Sequence, residues 1–344
     1  MSDLPADTVQ AGPPAQGIRL EQRLFEVSPV GTLPTAVAFF VVLIGSFEVA
    51  AEITNYSLKA QLTFDPHEGA WPAFILSLLI AVALGMQRYV HLKEREDDPA
   101  LEHILPSDRS EFAADDKVER SQLRWAALVG VLAGLAVTVA TVPANARLEH
   151  LPVFVWFAIV TSLLGAMFAR GVVMTRIGTR EFAQRVDRHL KVDLMRVDEL
   201  FVIGRRSARS ALVWLCVAAI ICLFFASGQT PILVIAIVFA SAGMAFWIFF
   251  RSLGQVHAKI RDAKRAELDH VRGEIVHAKA EAHHDHTAAA KLHGLIAYES
   301  RIASVKEWPF DQWTLLRVGA YVLIPALPAL AQAGFKYFAE HFHP

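Results

Sequence analysis

The stretch Pro231–Phe250, PILVIAIVFASAGMAFWIFF, holds twenty residues without a charge and runs directly into Arg251–Glu281, RSLGQVHAKIRDAKRAELDHVRGEIVHAKAE. As an α-helix rising about 1.5 Å per residue, the first part is about 30 Å long, the thickness of a hydrocarbon core. The second part is charged and has no proline, and none follows before Pro309. The pattern predicts one helix that crosses a membrane and continues into water from Ser252 to Lys306.

Six more stretches have the length and apolarity of a span: Leu33–Ile53, Trp71–Val90, Trp125–Val142, Pro152–Val173, Ala211–Ser227 and Thr314–Gln332. The last starts beside Arg317, and Gly319, Pro325 and Pro328 predict a kink in it. Hydrophobic residues make up 54% of the 344 positions and mean hydropathy is +0.38, high for a soluble chain. The expected fold is all-α, a polytopic transmembrane bundle of about seven spans.

Charge orients it. Of 33 Lys and Arg residues, 30 fall on one side once the spans are marked, leaving Lys59, Arg147 and Lys336 opposite. The positive-inside rule places the N-terminus in the cytoplasm and the C-terminal tail outside, in a bacterial inner membrane. The first 32 residues, rich in Pro and Gly, read as a disordered cytoplasmic tail rather than a signal peptide. Transmembrane hairpins are then expected over 33–90, 125–173 and 211–250, with a closing helix and short tail over 314–344.

Three cytoplasmic segments separate them. Residues 91–124 carry ten Asp/Glu against six Lys/Arg, interrupted by Pro99 and Pro106, and read as an acidic linker with short helical pieces. Within 174–210, Phe182, Val186, Leu190, Leu194, Val197 and Phe201 recur at helical spacing. A basic amphipathic helix is expected there, packed on another helix in preference to the leaflet. Residues 251–313 form a helical stalk whose a positions are Leu268, Ile275, Ala282, Ala289 and Ile296 and whose d positions are Val271, Ala278, Asp285 and Leu292. Alanines and Asp285 weaken this seam, and an antiparallel hairpin or an intersubunit bundle would each satisfy it. Leu268, Val271, Ile275, Leu292 and Ile296 are the assembly candidates.

Along the same stretch, ELDHVRG, EIVHAKA and EAHHDHT repeat Glu-x-x-His. Glu267, His270, Glu274, His277, Glu281 and His284 line one stripe, joined by His283, Asp285 and His286. Such a stripe could hold a divalent metal, as in carboxylate-bridged bundles, or respond to pH. It lies at heptad positions where an ordinary polar face is also expected, so no cofactor is assigned.

In the first span Glu48 and Glu52 share a face, with Asn55 one turn beyond. A carboxylate inside a bilayer costs on the order of 3 kcal/mol and usually faces protein or water, so these are ion-path candidates. Gly130 and Gly134 form GxxxG in the third span, and Gly165 and Ala169 a similar small-residue pair in the fourth, which predicts close helix packing within or between subunits. Cys216 and Cys222 are read as membrane-embedded hydrophobes. HExxH, GxxxxGK[ST], GxSxG and zinc-type CxxC motifs are absent.

Two stretches carry a resemblance: Phe201-Val-Ile-Gly204-Arg205 with Arg209-Ser210-Ala211-Leu212 and Trp214, and Glu299-Ser300-Arg301-Ile302 with Glu307-Trp308-Pro309-Phe310-Asp311, Thr314-Leu315-Leu316-Arg317, Tyr321 and Ile324-Pro325. They are similar to bacterial multi-span inner-membrane proteins of uncharacterised activity, in which a long cytoplasmic helix ends in a WPFD-type turn before a closing span. The resemblance implies this architecture and no reaction. In the residues themselves, Pro309 can stop a helix, Trp308 and Phe310 suit an interface, and Asp311 can cap the next helix.

Taken together, these features predict a non-enzymatic membrane scaffold that sits in the lipid bilayer and forms a homo-oligomer or docks a partner membrane protein, without nucleic acid. A proton or cation path through Glu48 and Glu52 is the alternative, and a metalloprotein built on the Glu/His stripe the third reading.

Overall fold

The computed structural model describes residues 31–57, 66–105, 116–142, 147, 150–190, 192–227, 232–281, 286–308 and 316. These form α1 (Thr32–Ser57), α2 (Pro66–Ile104), α3 (Asp116–Thr141), α4 (Leu151–His189), α5 (Phe201–Ile221), α6 (Ile232–Glu281) and α7 (His286–Ser304). Short 3₁₀ turns, Val197–Leu200 and Cys222–Ser227, flank α5. Six of these helices are long and apolar enough to cross a membrane, giving a polytopic helical membrane protein. The expected seventh span, Thr314–Gln332, lies outside the described residues, as do the N-terminal tail and the turn at Pro309–Asp311.

Helix pairs are joined by side chains placed for the purpose. Phe47 of α1 is buried against Trp156 of α4, ring centroids 5.1 Å apart, and the Trp156 Nε1–H donates to Ser46 Oγ at 2.9 Å. Trp71 in the second turn of α2 donates to the Leu223 carbonyl at 3.2 Å, tying it to the 3₁₀ turn that follows α5. Farther along, Trp214 of α5 meets Phe168 of α4 edge to face at 5.1 Å. Cys216 is half-buried and Cys222 buried, both as free thiols.

The GxxxG face of α3 packs within the chain. A methyl on Gly130 would collide with the Gly165 carbonyl and lie 2.7 Å from the Ala166 Cα, and one on Gly134 would lie 2.7 Å from the Ser162 Cα. Glycine is required here because real Cβ atoms do not come that close. One turn on, Thr138 and Thr161 share a 2.6 Å hydrogen bond between the two helices. Ala169 is half-buried farther along α4.

Three stretches fold differently from their sequence pattern. Residues 91–104 are the continuation of α2, not short pieces of a linker: Pro99 sits inside the helix, and the next turns are held by burial of Leu101 and Leu105. The amphipathic run from 178 is two helices with a break between them. Leu190 turns extended (φ −69°, ψ 109°), Asp193 Oδ1 accepts the Met195 N–H at 2.8 Å, and the Arg196 N–H bonds the Asp193 carbonyl at 3.1 Å. An aspartate bonding its own downstream backbone in this way competes with helix continuation. Finally, the expected single helix through Lys306 ends at Glu281, and α7 returns antiparallel along it.

Candidate functional site

Past their apolar halves, α2, α4, α5 and α6 continue together and build a second core. Leu101 of α2 and Leu105 just past it, Val186 of α4 and Leu190 just past it, Val197 and Leu200 of the 3₁₀ turn, Ile203 of α5, and Val256 and Ile260 of α6 are buried against one another. Nine such side chains, each worth about 1.5–3 kcal/mol when fully buried, make this a packed polar-end unit rather than a set of fraying helix ends.

Charge pairs lock its rim. Arg209 Nη1 on α5 donates to Asp97 Oδ2 at 2.6 Å and to the Lys93 carbonyl at 3.2 Å, with only 20% and 14% of the two charged side chains exposed. Arg206 reaches Glu94 at 3.3 Å and Asp98 at 3.7 Å. Across the unit, Lys259 Nζ bonds the Asp187 carbonyl at 2.5 Å and lies 3.4 Å from its carboxylate.

The α6–α7 hairpin rises from this unit. Lys264 Nζ donates to the Val305 carbonyl at 2.9 Å and faces Glu307 at 3.4 Å; Tyr298 OH donates to Glu267 Oε1 at 2.9 Å; Arg272 Nε donates to Glu299 Oε1 at 2.7 Å. The hydrogen bond to Glu267, followed by burial and the same carboxylate's charge, pushes the Tyr298 phenol above its ordinary range. At the base, the His257 ring stacks on Trp308 at 4.1 Å while its Nδ1 lies 3.0 Å from the Glu307 carbonyl oxygen.

The heptad seam is used inside this hairpin. Val271 and Ala278 are buried, as is Ile302 of α7, while Leu268, Ile275 and Leu292 are half-buried. Ile296 remains 50% exposed, and so does Val276 at 68%. Of the Glu/His stripe, Glu267 is bonded to Tyr298, and Glu274 lies 3.7 Å from His270 and 3.8 Å from Lys291. His277 is exposed. Among the described residues no group of three or more potential ligands converges on a metal position. His283, His284 and Asp285 lie outside the described residues, as do the side chains of Glu281 and His286.

Glu48 and Glu52 both sit on the exposed face of α1, beside Val49 and Ile53, and do not point into the bundle. Asn55 is half-buried, and its Oδ1 has no hydrogen-bond partner among the described residues.

Sequence reading missed the Arg206/Arg209 lock and the His257–Trp308 stack. The first had a signal: three arginines at 205–209 answer four acids at 94–98, two runs of opposite charge each next to a span. The second had none, because it joins residues 51 positions apart across a reversal the heptad pattern conceals. Residues around Arg120 and Arg124 were likewise read only as part of a linker. They line a groove of about 590 Å³ on the outside of α3. No protein-family model matches this chain, and no curated protein or solved structure matches it either.

Proposed function

We propose that this protein is a non-enzymatic membrane scaffold, oriented with its N-terminus and packed polar end in the cytoplasm of a bacterial cell, that assembles through the α6–α7 hairpin. The observation carrying this reading is that four helices continue past their apolar halves into one core and present a braced hairpin beyond it. A rigid projection is what a docking element needs, since little ordering entropy is then lost on binding.

Val276 and Ile296 supply the apolar contacts of that surface; both are exposed on a hairpin whose Val271, Ala278 and Ile302 are buried. The alternative ion-path reading draws less support, because Glu48 and Glu52 lie on the outer face of α1. That outer position suits a contact between α1 and another membrane helix, or the headgroup region.

The test is the mass of the complex released from native membranes, for the natural chain and for Val276→Asp with Ile296→Asp. Assembly lost in the variant, with helicity retained, supports the proposal. A natural chain that is monomeric and carries no partner, or a variant whose assembly is unchanged, sinks it.

A further inference from the structure

The two sides of the α6–α7 hairpin are unlike. On one side Arg272 of α6 pairs with Glu299 of α7; on the other, Tyr298 and Lys291 of α7 reach Glu267 and Glu274 of α6. The second side is turned to the chain's own polar-end unit, where Asp193 is close enough to act on the Tyr298 phenol. The Arg272 side is therefore turned away from the chain. Residues three, four or seven apart on a helix share a face, which sets Leu268 and Val276 beside Arg272, and Leu292 and Ile296 beside Glu299. One apolar side thus extends across both helices, with Val276 and Ile296 exposed and Leu268 and Leu292 half-buried.

The membrane restricts what can cover it in a second copy. α6 is one helix from Ile232 to Glu281, and its first part is apolar enough to cross a bilayer. Two copies threaded alike in one bilayer therefore hold their α6 helices parallel, related by a two-fold axis along them. Through this side, α6 of one copy then meets either α6 or the antiparallel α7 of the other. Charge decides between the two. Arg265, Asp269, Arg272 and Lys279 all project from this side or its outer edge, and each is exposed. A parallel α6–α6 contact would set every one of them against its own copy, which like charges oppose. Across the hairpin the contacts of Lys264 with Val305 and of Glu274 with Lys291 fix the register. By that register Arg265, Asp269 and Arg272 are level with the uncharged Ala303, Ser300 and Ile296, and Val276 is level with Leu292.

We infer that the hairpin's occupant is a second copy of this chain, with α6 of each copy laid against α7 of the other in a four-helix bundle. The inference rests on the scaffold reading above and names its partner. The apolar side is self-complementary, because Val276 of one copy meets Leu292 of the other and the reverse contact forms at the same time. Four side chains per copy are a small patch beside the roughly 800 Å² per partner of a typical soluble complex. Confinement of both copies in one bilayer raises their effective concentration and offsets that deficit.

Disulfide trapping tests this in the full chain carrying Cys216→Ala and Cys222→Ala, made as two differently tagged copies in one cell, with the isolated membranes then oxidised. Val276→Cys on one copy and Leu292→Cys on the other should give a dimer bearing both tags, as should Arg265→Cys with Ala303→Cys. Two pairs are used so that one misfolded variant does not decide the result. Arg265→Cys on both copies should give no dimer, because a disulfide needs Cα atoms within about 7 Å and the α6 helices stand diagonally across the bundle. As much dimer from Arg265→Cys alone as from the mixed pairs overturns the inference, as does the absence of a two-tag dimer from both mixed pairs. In that second case the mass of the untreated complex released from membranes separates the failures. A species heavier than one chain leaves the scaffold reading standing without this pairing, and a single chain sinks both.

Discussion

Removing either partner of the Arg209–Asp97 pair should loosen the polar-end unit more than its single hydrogen bond suggests. Two unit charges about 4 Å apart interact by about 4 kcal/mol at an effective dielectric near 20. Desolvation offsets much of that, and the residual exposure of 20% and 14% lets water screen part of the rest. A net coupling of about 1–2 kcal/mol is expected. Each single change should cost about 2–3 kcal/mol, because the stranded charge is left largely buried and Arg209 also holds the Lys93 carbonyl. The assay is a double-mutant cycle, Arg209→Ala against Asp97→Ala, measured by unfolding in mixed micelles. The Lys93–Glu96 pair, with 37% and 60% of its side chains exposed, is the internal control and should give under about 0.5 kcal/mol. A coupling for Arg209–Asp97 no larger than the control, within the scatter of about 0.5 kcal/mol seen for independent sites, would mean that the pair does not hold the polar-end unit together.

Other perturbations have equally definite outcomes. Gly134→Leu should separate α3 from α4 and break the Thr138–Thr161 bond, costing about 3 kcal/mol or preventing folding; a normal melting temperature would mean the helices do not touch at Gly134. Ile260→Ala in the polar-end core should cost about 2–4 kcal/mol in the same unfolding assay, whereas Ile296→Ala on the exposed face should cost under about 0.5. The Tyr298 phenol, raised by its bond to Glu267, favours folding in its protonated form. That contribution is complete below the ordinary tyrosine value and disappears as pH rises through the higher folded-state value. Among the 5 tyrosines, Tyr298→Phe should therefore delete a late-titrating phenolate band, and an unaltered alkaline absorbance titration would contradict the contact.

The membrane helices were legible because twenty uncharged residues leave the backbone few ways to satisfy its hydrogen bonds in lipid. GxxxG was equally readable, since its meaning is steric, although its partner could be found only from the Gly130–Gly165 approach. Where each helix ends was harder. Apolar spacing continues across Leu190, although the rod breaks there, with Leu190 extended and Asp193 bonded to the Met195 and Arg196 N–H groups. The heptad crosses Glu281 in the same way, although the chain reverses: alanine-rich positions at 3.5-residue spacing suit one long helix and a tight hairpin alike. Pro99 misled in the opposite direction, because burial of Leu101 and Leu105 outweighs one missing helix bond. For the candidate site, residue type was informative and direction was not. Glu48 and Glu52 stand out as carboxylates in an apolar stretch, but one helix's sequence does not reveal which of its faces meets the bundle.

The most direct test of the scaffold reading is the mass of the assembly released from native membranes with its lipids and subunits attached. A defined species heavier than one chain is expected, reduced to a single chain by Val276→Asp with Ile296→Asp while the helical signal and melting temperature stay close to those of the natural protein. A natural chain released as a monomer, or a heavy species indifferent to the hairpin changes, would contradict it.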